Sequence, residues 1–243
     1  METRGWWSEF FAGPTLELWK RAHSADESKG DAADLARALA LTPGERVLDV
    51  PCGYGRIALE LAARGMRVSG LDACDPYLRE ARQRASERGL EAEFVHGDMR
   101  ALPWRDEFDA ALCVGNSFGY FDDEGNRAFL ASVKTALRPG GRFALSCPLV
   151  AELALHARGL RDWQRLGDVL LLSEAWYDER RKRLETTYTA VDLATRTPLE
   201  EKHASYRVYP LAELEGLLRS VGFDDLRSEL ADDDCLVLAR KSG

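Results

Sequence analysis

The feature that most constrains this chain is an alternation of short apolar runs and amphipathic helical segments between Arg46 and Ser146. Strand-like runs are read at Arg46–Val50, Arg67–Leu71, Glu93–His96, Phe108–Val114 and Arg142–Ser146. Between them lie a helix around Ile57, Leu59, Leu61 and Ala62 that ends at Gly65, a helix Pro76–Arg88 and a helix Glu124–Leu137. Parallel neighbours need a crossover of a dozen or more residues, and this spacing supplies it, so the pattern predicts a parallel sheet with helices on both faces. Two last runs, Asp225–Leu230 and Leu236–Arg240, follow a helix Leu211–Val221 and are separated only by Ala231–Asp234. So short a link allows only an antiparallel hairpin. The expected core is therefore a doubly wound, mostly parallel seven-stranded sheet closed by an antiparallel C-terminal hairpin.

The rhythm breaks on either side of this core. Residues 1–30 are rich in aromatics (Trp6, Trp7, Phe10, Phe11, Trp19) and read as a helical arm or lid, followed by a helix Ala32–Leu41. Residues 31–148 form the expected core. Residues 149–209 read as an insertion: a helical piece near Leu149–Arg158, then strands Asp168–Trp176, Leu184–Leu193 and Glu200–Tyr209 as an antiparallel β-meander, serving as lid, substrate element or homodimer surface. Residues 210–243 complete the sheet.

Composition excludes several classes. A formal charge of −8 over 243 residues disfavours nucleic acid as a partner, because phosphate backbones are held by Lys and Arg. Five dispersed cysteines, an odd number, suit reduced packed thiols and a cytoplasmic location rather than a disulfide frame. No CxxC or HExxH occurs and the four histidines are scattered, so no metal site is expected. No apolar run has the length of a membrane span, and no membrane partner is expected.

The chemistry concentrates at Val47-Leu48-Asp49-Val50-Pro51-Cys52-Gly53-Tyr54-Gly55-Arg56, where the first strand meets the first helix. Gly53 and Gly55 let the backbone turn sharply beneath a ligand, and the helix start offers N–H groups and a positive dipole end to a carboxylate or phosphate. Asp49 sits inside the strand, where packing alone asks for an apolar residue. Asp72 ends the second strand, at the distance where an acid meets ribose hydroxyls in nucleotide-binding units. Asp98 follows the third strand, beside Met99. One such acid is readily a cap or turn residue, but three at the tips of three successive strands point to an adenosine-like ligand.

On these residues the span Val47–Ser146 resembles the class I S-adenosylmethionine-dependent methyltransferases, with their Rossmann-like core; Leu137-Arg138-Pro139-Gly140-Gly141 is similar to the run before their fifth strand. The resemblance implies S-adenosyl-L-methionine as cofactor, leaving as S-adenosyl-L-homocysteine. It implies Gly53 and Gly55 under the methionine part, Asp49 ordering that loop, Asp72 on the ribose, Asp98 and Met99 at the adenine, and Ala73 and Val114 alongside. Pro51 departs from the glycine common at that position. Cys113-Val114-Gly115-Asn116-Ser117-Phe118-Gly119-Tyr120, with Thr187-Tyr188-Thr189, is locally similar to the glycine N-methyltransferases, which implies substrate-positioning roles for Asn116 and Tyr188. Ser146-Cys147-Pro148 lacks the arginine that can hold a substrate carboxylate there, which argues against glycine itself.

The expected activity is methyl transfer to the nitrogen or oxygen of a small molecule by in-line displacement. Aligning the acceptor matters more for such a reaction than a general base. His203, Tyr206 and Lys29 are further polar candidates near the site, and Arg207 reads as a structural ion-pair partner. The alternatives are an NAD(P)-dependent oxidoreductase, which shares the glycine turn and ribose acid, a methyltransferase acting on a macromolecule, and a cofactor-binding protein without catalysis.

Overall fold

A computed structural model describes residues 5–146, 160–230 and 235–243. The expected helical piece near Leu149–Arg158, and Cys147, lie outside these residues. Seven strands form the main sheet in the order β10-β11-β5-β4-β1-β2-β3. They are β1 Arg46–Asp49, β2 Arg67–Asp72, β3 Ala92–His96, β4 Phe108–Cys113, β5 Leu137–Ser146, β10 Phe223–Leu230 and β11 Cys235–Lys241. β1 to β5 run parallel, and β11 runs antiparallel to both β5 and β10. This is the doubly wound, mostly parallel sheet with a reversed C-terminal hairpin that the sequence predicts.

The central strands are apolar on both sides because both sides are covered. Leu48, Val50, Ala111 and Cys113 pack into one core with α6 (Asp123–Ala136) and α7 (Leu211–Val221). Val47, Ala110 and Leu112 pack into the other with α3 (Ala25–Ala38), α4 (Arg56–Ala63) and α5 (Asp75–Glu87). The chain crosses from one side of β1 to the other between β3 and β4, so the order reverses between β1 and β4. A ligand crevice forms outside the carboxyl ends of the strands at such a reversal.

Helix α3 starts at Ala25, seven residues before the expected start at Ala32. Ser24 accepts the Glu27 N–H and the Glu27 carboxylate accepts the Ser24 N–H, a reciprocal cap that turns the polar stretch before Gly30 into helix. The helix thus runs across residue 30, where the sequence reading parts arm from core. Ahead of it, α1 (Trp7–Phe10) and α2 (Pro14–Arg21) lie across the crevice.

The second sheet is an antiparallel meander of four strands rather than three: β6 Leu160–Leu166, β7 Val169–Asp178, β8 Arg183–Asp192 and β9 Pro198–Arg207. The added strand, β6, is an edge whose sequence Leu-Arg-Asp-Trp-Gln-Arg-Leu carries charge at positions a buried strand would fill with apolar groups. Among the described residues no helix is long and apolar enough to cross a membrane.

Packing beneath the crevice is close at Gly70 of β2. A Cβ there would lie 2.7 Å from Cys52 Sγ and 2.9 Å from Phe94 Cδ1. We therefore expect Gly70→Ala to lower unfolding stability by about 1–3 kcal/mol through overpacking, read from urea denaturation. A stability equal to the parent's would show that the loop after β1 is not pressed onto β2.

Candidate functional site

The crevice holds a cavity of about 870 Å³, within the range of small-ligand sites. Its floor is built from the ends of β1, β2, β3 and β4, and its roof from the N-terminal arm, including Trp7, Phe11, Leu16 and Trp19.

The turn after β1 is held by two aspartates. Gly55, with φ +78°, is the N-cap of α4 and has no side chain to cap it. Asp49 does this instead: its carboxylate, 2% exposed, accepts the Ala58 N–H in the first turn of α4. Burial pushes the Asp49 carboxyl up to about 7, against the pull of that N–H and of the Arg56 charge. A Cβ on Gly55 would stand 3.1 Å from Ala81 Cβ and 3.2 Å from the Phe94 ring, so the left-handed turn and the close approach both favour glycine there.

Asp72 fastens the same turn from β2. Its Oδ2 accepts the Gly53 N–H at 2.8 Å and its Oδ1 accepts the Cys74 N–H at 2.8 Å. Burial raises its pKa while these N–H groups lower it, and the net shift is upward. The carboxylate lines the cavity and, with about four acceptor sites, keeps capacity for a ligand hydroxyl.

Asp98, after β3, is exposed and gripped by Arg100, whose Nε reaches both carboxylate oxygens at 3.0 Å and whose N–H donates at 2.8 Å. That grip holds the Asp98 carboxyl below the usual carboxylate range. Met99 is buried beside it, and Val114 and Ala73 complete this end. The structure thus brings Asp49, Gly53, Asp72, Ala73, Asp98, Met99 and Val114 around one cavity, with Gly55 in the turn beneath.

The two substrate-positioning candidates lie elsewhere. Asn116 is exposed with φ +60°, beside the lining residues Gly115 and Ser117. Tyr188 packs edge-on against Phe10 and Trp19 at 5.7 and 5.1 Å, outside the lining, and burial pushes its hydroxyl up to about 12. Tyr206 is buried against Trp6 and Tyr120, while the His203 ring pairs with Glu185 at 2.9 Å. Lys29 pairs with Asp26 on the surface, and Arg207 bridges Asp123 and Glu213 at 2.8 Å each.

Several lining residues escape a sequence reading. Among the described residues the buried indole N–H of Trp19 and hydroxyl of Tyr54 have no hydrogen-bond partner, and both residues line the cavity. A buried donor without an acceptor costs about 1–3 kcal/mol, so each marks a place for a ligand oxygen. His23 and Arg56 also line this end. Burial and, next, the Arg56 charge lower the His23 pKa. Only Tyr54 and Arg56 carried a signal, lying inside the glycine turn; the others arrive through the fold of the arm.

A doubly wound sheet with acids at three strand tips and a glycine turn at the order reversal defines a cleft of the nucleotide-binding kind. Comparison narrows this. Residues 47–141 match the methyltransferase domain family. The S-adenosyl-L-methionine-dependent Diels-Alderase iccD of Talaromyces variabilis is 28% identical over 83% of this chain and 61% of its own. Glycine N-methyltransferase of Mus musculus is 33% identical over 40% of this chain and 38% of its own. The matches therefore span under two thirds of these relatives' lengths. The solved structure of S-adenosylmethionine-bound CalS10, an amino pentose methyltransferase of Micromonospora echinaspora, superposes with a TM-score of 0.74 at 23% identity, covering 95% of this chain and 98% of its own, and shares the fold.

The Asp49 environment gives a pH signature. The folded carboxyl titrates at about 7 and the unfolded one near 3.8, so the folded state holds a proton that the unfolded chain releases between those values. This contribution to stability is complete below the lower value and lost as pH rises through the upper one. Relative to Asp49→Asn, which cannot titrate, the parent should lose on the order of 4 kcal/mol of stability between acid and mildly alkaline pH, measured by urea unfolding across the range. A difference that does not change with pH would contradict the assigned burial.

Proposed function

We propose that the chain binds S-adenosyl-L-methionine in this cavity and transfers its methyl group to the nitrogen or oxygen of a small-molecule acceptor. The observation that carries the reading is Asp72, which pins the glycine turn with one side of its carboxylate while lining the cavity with the rest. In this reading Asp72 accepts the ribose hydroxyls. Asp98, steadied by Arg100, accepts from the adenine amino group while Met99, Val114 and Ala73 line the base. Gly53 and Gly55 give the backbone room beneath the methionine tail.

The cavity passes a test of fit that does not depend on motif matching. The methionine end of S-adenosylmethionine carries a carboxylate, and two residues lining the cavity, Trp19 and Tyr54, carry buried donors with no partner among the described residues; Arg56, which pairs with Asp31, adds positive charge near Tyr54. When bound, the cofactor supplies a methyl group already activated by its sulfonium. What remains for this chain is to bind, align and exclude water, and alignment alone is worth ~7–11 kcal/mol in favourable cases. Trp7, Phe11 and Leu16 roof the space, and Tyr120 and Phe121 wall it. Asn116 at the rim orients the acceptor through its amide. Tyr188, behind the arm, acts on the acceptor only through Phe10 and Trp19. A small molecule fits this roofed crevice better than a macromolecule, and the net charge of −8 supports the same choice.

A second reading is favoured by one comparison. The Talaromyces variabilis relative, matched over 83% of this chain, is named a Diels-Alderase rather than a methyltransferase; in this second reading the cleft binds the same cofactor without transferring its methyl group. Release of S-adenosylhomocysteine on incubation with a panel of amines, phenols and acids separates the two.

Titration calorimetry tests the cofactor assignment itself. The parent should bind S-adenosylhomocysteine, and Asp72→Ala should weaken it at least tenfold, since a charged acceptor on a buried hydroxyl is worth ~1.5–3 kcal/mol. An unchanged dissociation constant, or tight NAD(P) binding with no response to S-adenosylhomocysteine, would overturn it.

A further inference from the structure

The segment Gly119–Phe121 forms part of the cavity wall through the side chains of Tyr120 and Phe121. Three successive carbonyls of this segment face a single cation, Arg183, at the start of β8. Arg183 Nη1 donates to Phe121 O at 3.0 Å, and Nη2 donates to Tyr120 O at 3.1 Å and Gly119 O at 3.4 Å. The same guanidinium is anchored in the four-stranded sheet, with Nη2 on Ser205 O and Nε on Ser205 Oγ, each at 2.6 Å. All of these partners are neutral oxygens. They replace the water that a half-buried cation would otherwise keep, and only a planar five-donor fork reaches them together.

The adjoining strand presses on the same place. The Arg207 N–H donates to Gly119 O at 2.7 Å, and a Cβ on Gly119, whose φ is +93°, would stand 2.5 Å from Arg207 O. From this segment the contact passes to the ligand end of the cavity. The Arg100 guanidinium carbon lies over the Phe121 ring, 4.5 Å from the ring centroid, and the ring packs against Trp7 at 4.8 Å. Arg100 in turn chelates Asp98. A shift of the Phe121 backbone is therefore felt at an acid of the floor and at an indole of the roof.

We propose that Arg183 is a positioning residue for the ligand cavity: it holds the Gly119–Phe121 segment from the four-stranded sheet and so sets Tyr120, Phe121 and, through Arg100, Asp98. The proposal rests on the reading of the cavity as the S-adenosylmethionine site. It makes the second sheet part of the binding apparatus, although none of the residues on its strands lines the cavity.

The test is calorimetric binding of S-adenosylhomocysteine, with thermal unfolding recorded in parallel. The proteins are the parent, Arg183→Ala, Arg183→Lys, Phe121→Ala, the Arg183→Ala/Phe121→Ala double variant and the control Arg161→Ala. Arg161 lies on the same sheet in an exposed pair with Glu174. Because hydrogen bonds to a charged group are being removed, Arg183→Ala should bind about tenfold more weakly, with Arg183→Lys at roughly three- to fivefold and Arg161→Ala at the parent's value. If the effect runs through Phe121, Arg183→Ala should cost less than about threefold when Phe121 is already alanine. A lowered melting temperature with affinity within about twofold of the parent would mean that Arg183 is structural only, and would overturn the proposal, as would independent multiplying losses in the double variant. Should Arg183→Ala fail to fold, Arg183→Lys decides by the same criterion. Absence of binding by the parent overturns the site reading itself, a result distinct from unchanged binding in the Arg183 variants.

Discussion

The turn after β1 exists because two carboxylates hold it, Asp49 buried and Asp72 part-buried. An αL glycine at the start of α4 leaves the first N–H groups of that helix uncapped, and Asp49 answers one of them from inside the strand. Asp72 answers the Gly53 N–H from the neighbouring strand. Both acids spend acceptor capacity on backbone that would otherwise be unsatisfied, and burial raises both pKa values as the cost. The result is a fixed turn, bare of side chain at Gly53 and Gly55, at the place where the sheet order reverses. Every other part of the site is arranged around that turn.

Two layers then close the cavity. The arm is fixed to the core by Tyr77 OH donating to Leu16 O and by the Lys20–Glu80 pair, and to the second sheet by Lys202 Nζ donating to Glu9 O. The second sheet is fixed to the core by Arg183 and by the buried Arg207, whose guanidinium stacks on Tyr209 and joins Asp123 to Glu213. Each of these joints is polar and directional, while the rings of Trp6, Phe10, Tyr120 and Tyr206 supply the apolar fill between them. Such joints fix orientation, which is what an alignment-driven reaction asks of a scaffold.

The core was legible in the sequence because its signals are local. Short runs such as Val47–Val50, apolar but for Asp49, and Ala110–Cys113, broken by glycine and proline turns, fix strand identity and parallel direction without knowledge of contacts. The acids at the strand tips were legible for the same reason: each is a polar residue where packing alone asks for none. Trp19, His23 and Arg100 were not, since what places them in or near the cavity is the fold of the arm and a contact across the turn after β3. In the sequence Arg183 is one member of a basic run, Arg180-Arg181-Lys182-Arg183, and such a run ordinarily reads as a solvated turn. It differs from its neighbours only because β8 carries it against three carbonyls from a distant segment. Asn116 and Tyr188, chosen by local similarity, sit at the rim and behind the arm, because a short similar stretch fixes the residue type and leaves its direction to the surrounding packing.

The most direct test is a crystal structure of the chain with S-adenosylhomocysteine. The account places the ribose hydroxyls at hydrogen-bond distance, about 3 Å, from the Asp72 carboxylate, with the amino-acid carboxylate facing Trp19 Nε1 and Tyr54 OH. A ligand held away from Asp72, or seated outside the crevice between the arm and the main sheet, would contradict it.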